Sequence, residues 1–136
     1  MKPTLRGTRK RISTKKVSDA VLDNLVRQYI RLISAGYCKR CKKYCGNSIE
    51  VSHLYKRRRK TVRWDLRNVN GLCLTCHQEI DKDQLKLVSF MYDIMSQKEI
   101  ETLQELANMT IKTYPIDRED IRDKLKEKIR RLENAN

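Results

Sequence analysis

The chain has 136 residues, a one-domain length, with thirty-one Lys and Arg against seventeen Asp and Glu and a net charge of +14. At 39% hydrophobic and 6% aromatic it can bury one modest core, and no apolar run approaches the ~20 residues of a membrane helix. Met1-Lys2-Pro3-Thr4-Leu5-Arg6 starts basic with no apolar stretch behind it, so neither a signal peptide nor secretion is expected, and an intracellular location is.

Self-repulsion at this charge favours a polyanionic partner, of which nucleic acid is the usual one. An anionic membrane surface fits less well, because the chain lacks an amphipathic helix with Trp or Phe facing lipid. The first sixteen residues hold seven basic side chains and no acidic one, and with Pro3 and Gly7 they read as a flexible basic arm, bounded at residue 17. The remaining net charge is +7, so the folded part is basic as well.

Ser18 and Asp19 open a helix along which Val21, Leu22, Leu25, Val26, Tyr29, Ile30 and Ile33 recur at helical spacing, and Gly36 ends it. Residues 48–53, Ser-Ile-Glu-Val-Ser-His, alternate as a short strand does, and Thr61 to Leu66 is the predicted returning strand. Between them Lys56-Arg57-Arg58-Arg59-Lys60 reads as a solvated loop, since five adjacent cations cannot be buried. The C-terminal third is helical. Ser96-x-x-Glu99 is a capping box ahead of Ile100, Leu103 and Leu106, and Pro115 breaks the pattern. Asp117 then caps a last helix with Glu119 and Asp120 in its first turn and Ile121, Leu125, Ile129 and Leu132 in one stripe. Residues 18–95 are thus read as the core and 96–136 as a helical extension that either packs on it or pairs two copies.

Four of the five cysteines form two Cys-x-x-Cys pairs, Cys38/Cys41 and Cys73/Cys76. Each pair can grip one ion from a tight knuckle whose NH groups face the thiolates, and four thiolates complete the tetrahedral shell of structural Zn2+. Disulfides would need an oxidising compartment, and the odd count would leave one thiol over. A redox pair would need a βαβ context, which the helix-knuckle-strand order does not give. Cys45 is the spare, read as packing near the knuckle. Thirty-one residues separate the two pairs, more than in an ordinary zinc ribbon, so something is inserted.

Both histidines of the chain fall in or beside that insertion, His53 at the end of the first strand and His77 directly after Cys76, with Asn68 between them. The order His53, Asn68, then Cys73-x-x-Cys76-His77 resembles the HNH, or ββα-metal, endonucleases, in Val51-Ser52-His53-Leu54 and in Asn68-Val69-Asn70-Gly71-Leu72-Cys73-Leu74-Thr75-Cys76-His77. A closer resemblance, from about residue 20 to the end, is to the phage NinG (Rap) recombination endonucleases. It rests on Tyr29-Ile30-Arg31-Leu32-Ile33-Ser34-Ala35-Gly36 before Cys38, on His53-Leu54-Tyr55, and on Val62-Arg63-Trp64-Asp65 before Asn68.

The resemblance implies an α+β fold: a hairpin-helix ββα-metal core braced by a four-cysteine zinc site and flanked by an N-terminal helix and C-terminal helices. It implies a hydrolase that cuts branched DNA such as D-loops and Holliday junctions during viral recombination, in the cytoplasm of an infected prokaryotic host. His53 matches the general base, Asn68 the Asn that ties the loop and orients that base, and His77 the ligand of a catalytic Mg2+ or Mn2+ ion. Cleavage to 5′-phosphate and 3′-hydroxyl ends is also implied. Two positions depart from the pattern. Ser52 stands where many such enzymes carry an Asp ligand, so the ion would rest on His77 and DNA oxygens or borrow Asp65 or Asp81. Asn70 competes with Asn68 for the central role, and the distance to Leu72-Cys73 favours Asn68.

Lys56, Arg57, Arg58, Arg59 and Lys60, with Arg63 and Arg67, put seven cations around the hairpin, where they are expected to hold the DNA backbone without reading sequence. Trp64 is read as core, with stacking on an unpaired base as its sharper alternative. Paired cuts in a junction make a homodimer a reasonable expectation. The competing functions are a zinc-stabilised nucleic-acid-binding module without catalysis, which leaves the His53, Asn68 and His77 set unexplained, and an HNH nickase on linear duplex.

Overall fold

In the computed structural model, which describes residues 16–135, Ser18 caps α1 (Asp19–Ser34) by accepting the Val21 NH. The basic arm read over 1–17 lies outside the described residues except for its last two, of which Val17 is buried. Leu22, Val26 and Ile30 form the buried stripe of α1, and Ala35 and Gly36, both at positive φ, end the helix. A single 3₁₀ turn, Gly46–Ser48, leads into β1 (Glu50–His53). The returning strand β2 is Val69–Leu72, antiparallel to β1 with His53 opposite Val69 and Ser52 opposite Asn70.

The predicted returning strand at Thr61 to Leu66 is therefore corrected. That segment runs as consecutive turns, closed by Val62 N to Arg59 O, Asp65 N to Val62 O and Asn68 N to Asp65 O. Its β-branched and aromatic residues are there to be buried: Val62 is 0% and Trp64 4% exposed, a packing demand that turns meet as well as a strand does.

Helices α2 (Leu74–Lys82) and α3 (Gln84–Ile94) follow, separated by Asp83, whose carboxylate accepts the Leu85 and Lys86 NH groups. The capping box of Ser96 and Glu99 starts α4 (Gln97–Ala107), and Asp117 caps α5 (Arg118–Asn134), both as the spacing predicts. The described residues thus form an α+β fold of five α-helices and a two-stranded hairpin. None of these helices is long and apolar enough to cross a membrane.

The hairpin separates two cores. On one face Leu72 joins Cys76 and Ile80 of α2, Phe90 and Met91 of α3, and Ile100 and Leu103 of α4. On the other Val69 joins Leu22, Val26 and Ile30 of α1, Trp64, and Leu125 of α5. Gly71 is what lets α1 lie so close, because a Cβ there would fall 2.4 Å from Ser34 Oγ. The apolar stripe of α5, with Leu125 and Ile129 buried, is covered by α1 within the same chain. That stripe is therefore not a free surface for a second copy.

Two carboxylates on α1 fasten the loop between the strands. Asp23 accepts Arg63 Nη2 at 2.7 Å, Arg57 Nη2 at 2.9 Å and Trp64 Nε1 at 2.8 Å. Asp19 pairs with Lys60 and with Arg118, the latter at 2.7 Å. The guanidinium groups of Arg63 and Arg118 lie 5.2 and 4.9 Å from the Trp64 ring centre, so the indole is buried between two cations. Stacking of Trp64 on an unpaired base is excluded by that burial. With Asp23 and Arg63 both largely buried, Asp23→Ala leaves Arg63 only the longer pair with Asp19 and strips Trp64 Nε1 of its acceptor, and a loss of about 3 kcal/mol is expected. Thermal unfolding should show it as a midpoint lower by roughly 10 °C.

Candidate functional site

The four cysteines of the two pairs meet, Cys38 and Cys41 from the loop after α1 and Cys73 and Cys76 from the start of α2, with all four sulfurs within 4.8 Å of one another. Among the described residues no other group of three or more Cys, His, Asp or Glu converges in this way. Cys41 Sγ and Cys73 Sγ stand 3.9 Å apart. Tetrahedral zinc with bonds of about 2.3 Å requires about 3.8 Å between sulfurs, whereas a disulfide requires about 2.05 Å. Both knuckles point NH groups at thiols: Cys41 N at Cys38 Sγ and Cys76 N at Cys73 Sγ. Cys73 is also the cap of α2, its sulfur accepting the Cys76 NH.

The four thiols cannot all ionise unaided. Burial opposes ionisation of Cys38, yet the NH groups of Cys41, Cys73 and Arg40 bring its pKa down to about 6. Burial, and then the neighbouring Cys73 and Cys38, push Cys76 up to about 12. A dication removes that conflict, so the donor set fits zinc. Cys45 lies outside the cluster, packed against the same core, as the spacing predicts.

Asn68 is fully buried and ties the loop at three points. Its Nδ2 donates to the carbonyls of Tyr55 and Val62, both at 3.0 Å, and its Oδ1 accepts the Tyr55 NH at 2.7 Å. Residues 55, 62 and 68 are thereby drawn together, and the chain between them is closed like a clasp. Asn70 has no such role: its Nδ2 is buried without a partner, opposite Ser52, whose Oγ is likewise buried and unpartnered.

Held by this clasp, the Arg63 carbonyl lies 3.0 Å from His53 Nε2. A carbonyl only accepts, so Nε2 carries the hydrogen and Nδ1 keeps the lone pair. Burial lowers the His53 pKa below the ordinary histidine value, opposed by the Arg63 carbonyl, so the ring is neutral at pH 7. His53 lines a groove of about 310 Å³ between α1 and β1, with Asp23, Arg27, Arg31, Glu50 and Arg57 among its walls.

Glu50 also connects this groove to α2. Its Oε1 lies 2.7 Å from His77 Nδ1, and His77 Nε2 lies 3.5 Å from Asp81 Oδ2. A carboxylate holding one ring nitrogen fixes the tautomer and frees the other nitrogen as a ligand. Asp81, one helical turn beyond His77, stands on the Nε2 side of that ring and also pairs with Lys56 at 2.9 Å. Asp65, the other candidate, is paired with Arg67. Ser52 points into the core and offers the ion no exposed ligand.

Six of the seven hairpin cations have partners within the described fold. Arg63 is spent on Asp23 and Asp19 with its side chain 11% exposed. Lys56 pairs with Asp81, Arg57 with Asp23, Lys60 with Asp19 and Arg67 with Asp65. Arg59 donates to the Ala107 carbonyl and the Asn108 side chain. Among the described residues the exposed Arg58 makes no such pair. The groove also gains Arg27 and Arg31 of α1, a helix whose spacing predicts packing alone. Their signal was the spacing Asp23, Arg27, Arg31, a polar stripe of i, i+4 steps alongside the apolar one. Comparison with protein-family models, with curated proteins and with solved structures finds no match to this chain.

Proposed function

We propose that the chain is a metal-dependent DNA endonuclease of the HNH type, acting on branched recombination intermediates. The observation that carries this reading is the single arrangement made by Asn68 and His53: a fully buried asparagine clasps the loop whose carbonyl orients a neutral, groove-lining histidine. A histidine that served packing alone would not need to line an open groove. His53 Nδ1 would take the proton from the attacking water, the general-base role that a neutral imidazole fills near pH 7. Arg27 and Arg31, with Arg57, would hold phosphate oxygens along the groove. His77, oriented by Glu50, and Asp81 would hold Mg2+ or Mn2+, with Asp81, released from Lys56, supplying the oxygen donor that such hard ions prefer. Bound there, the ion would supply charge stabilisation at the phosphate and the leaving oxygen.

Preference for branched DNA rests on the resemblance and on charge without an evident base-reading helix. The test is cleavage of a labelled four-way junction and of a linear duplex of the same sequence, in Mg2+ or Mn2+. Cuts in the junction alone are expected. Equal cutting of both would keep the nuclease and turn it into a nickase-like enzyme on duplex. Binding without cutting in either metal would favour the zinc-stabilised binding module.

A further inference from the structure

A second pocket lies beside the catalytic groove and shares two of its walls. It measures about 200 Å³ and is lined by Arg31, Gly36, Tyr44, Gly46, Asn47 and Ile49, of which Arg31 and Ile49 also line the groove of His53. Tyr44 is 68% exposed and Tyr37 54%, large aromatic surfaces left in water by a chain with only 6% aromatic residues. They are nonetheless held firmly. The rings meet edge to face with centroids 5.2 Å apart, and the two residues form a backbone bridge. Cys45 N and Gly46 N both donate to the Gly36 carbonyl. Gly36, at φ +87°, must lack a side chain, since a Cβ there would fall 2.5 Å from Tyr44 Cε1. A rigid exposed ring, with a guanidinium beside it and an amide side chain across from it, has the parts of a base-stacking site.

We propose that this pocket receives an unpaired nucleobase of the DNA strand whose neighbouring phosphate lies in the His53 groove. Tyr44 supplies the stacking face, Tyr37 props it, and Arg31, common to both cavities, bridges to the phosphate between them. The inference rests on the nucleic-acid reading above and gives it a physical basis for selectivity: only a D-loop, a gap, a bulge or a junction opened at its crossover presents an unpaired base next to a duplex phosphate. A perfect duplex could fill the groove but not the pocket.

The experiment uses the full chain with zinc bound and no Mg2+ or Mn2+ added, so that nothing is cut. It is titrated into a duplex bearing a single bulged 2-aminopurine, and into a duplex with the same probe fully paired. Quenching of the bulged probe alone is expected. Tyr44→Leu should bind the bulged DNA about tenfold more weakly and lose the quenching, and Tyr44→Phe should behave as the parent chain. Tyr44→Leu keeps an apolar contact for Gly36, and its zinc content and circular dichroism check that the knuckle still folds. Unchanged affinity and quenching in a folded Tyr44→Leu would overturn the proposal, as would equal quenching of the paired probe. Because no cleavage is read, a failed junction-cutting assay leaves a positive result standing, and a chain that binds neither DNA overturns both readings.

Discussion

Stripping zinc from the chain is expected to unfold it, not merely to inhibit it. The four thiols sit where the loop after α1 meets the start of α2, so the ion joins the two sides of the hairpin. Binding of structural zinc contributes on the order of 10 kcal/mol, comparable with the whole stability of a domain at about 5–15 kcal/mol. This chain has little to set against its loss. Its charge of +14 repels itself, and its apolar residues are divided between two small cores. A strong chelator should therefore release one zinc per chain together with a loss of helicity. It should also shift the emission of Trp64 to the red, although that indole lies in the α1 and α5 core and not at the cysteines. Cys73→Ser should reproduce the effect, since Cys73 is both ligand and helix cap, and Cys45→Ser should keep the metal and the fold. A zinc-free chain with native circular dichroism and unshifted Trp64 emission would remove the metal from the account of folding.

What the sequence revealed and what it hid divide along the range of the interactions. Caps act within one turn, so Ser18, Ser96 with Glu99, and Asp117 were legible, and so were the cysteine knuckles, each held in four residues. The strand β2 was not. Val69-Asn70-Gly71-Leu72 contains an Asn and a Gly, poor strand formers, and it is a strand because Gly71 admits α1 and Leu72 fills the opposite core. The pairing of the cations was equally hidden, because the acidic partners of Lys56, Arg57, Lys60 and Arg63, namely Asp81, Asp23 and Asp19, lie far off in the chain. Glu50 read as one strand residue among six, since its partner His77 is 27 positions away. His53, Asn68 and His77 were found by their order alone. Which nitrogen of His53 is free, and which carboxylate stands by His77, needed the fold.

On the proposed endonuclease reading, replacing His53 by Ala should cut the cleavage rate by about 10²–10⁴-fold while zinc content, helicity and DNA binding stay unchanged. The ring is half-buried, and only one hydrogen bond, to the Arg63 carbonyl, is lost with it. Asn68 and Asp23, which hold the loop, keep all their partners. The pH profile gives a sharper test than the loss of rate. Burial holds the His53 pKa below its ordinary value of about 6.5, so the neutral, reactive ring should persist as pH falls past that value. The acid limb of the cleavage profile is then expected to have its midpoint below about pH 6.5. Stability carries the same sign. In the unfolded chain His53 binds its proton first, so its contribution is complete above about pH 6.5 and is lost as pH falls from there through the lower folded value. His53→Ala should abolish that part of the acid destabilisation along with the cleavage. A variant that still cuts with the parent's acid limb would take His53 out of the chemistry and leave the clasp of Asn68 as a device for folding alone.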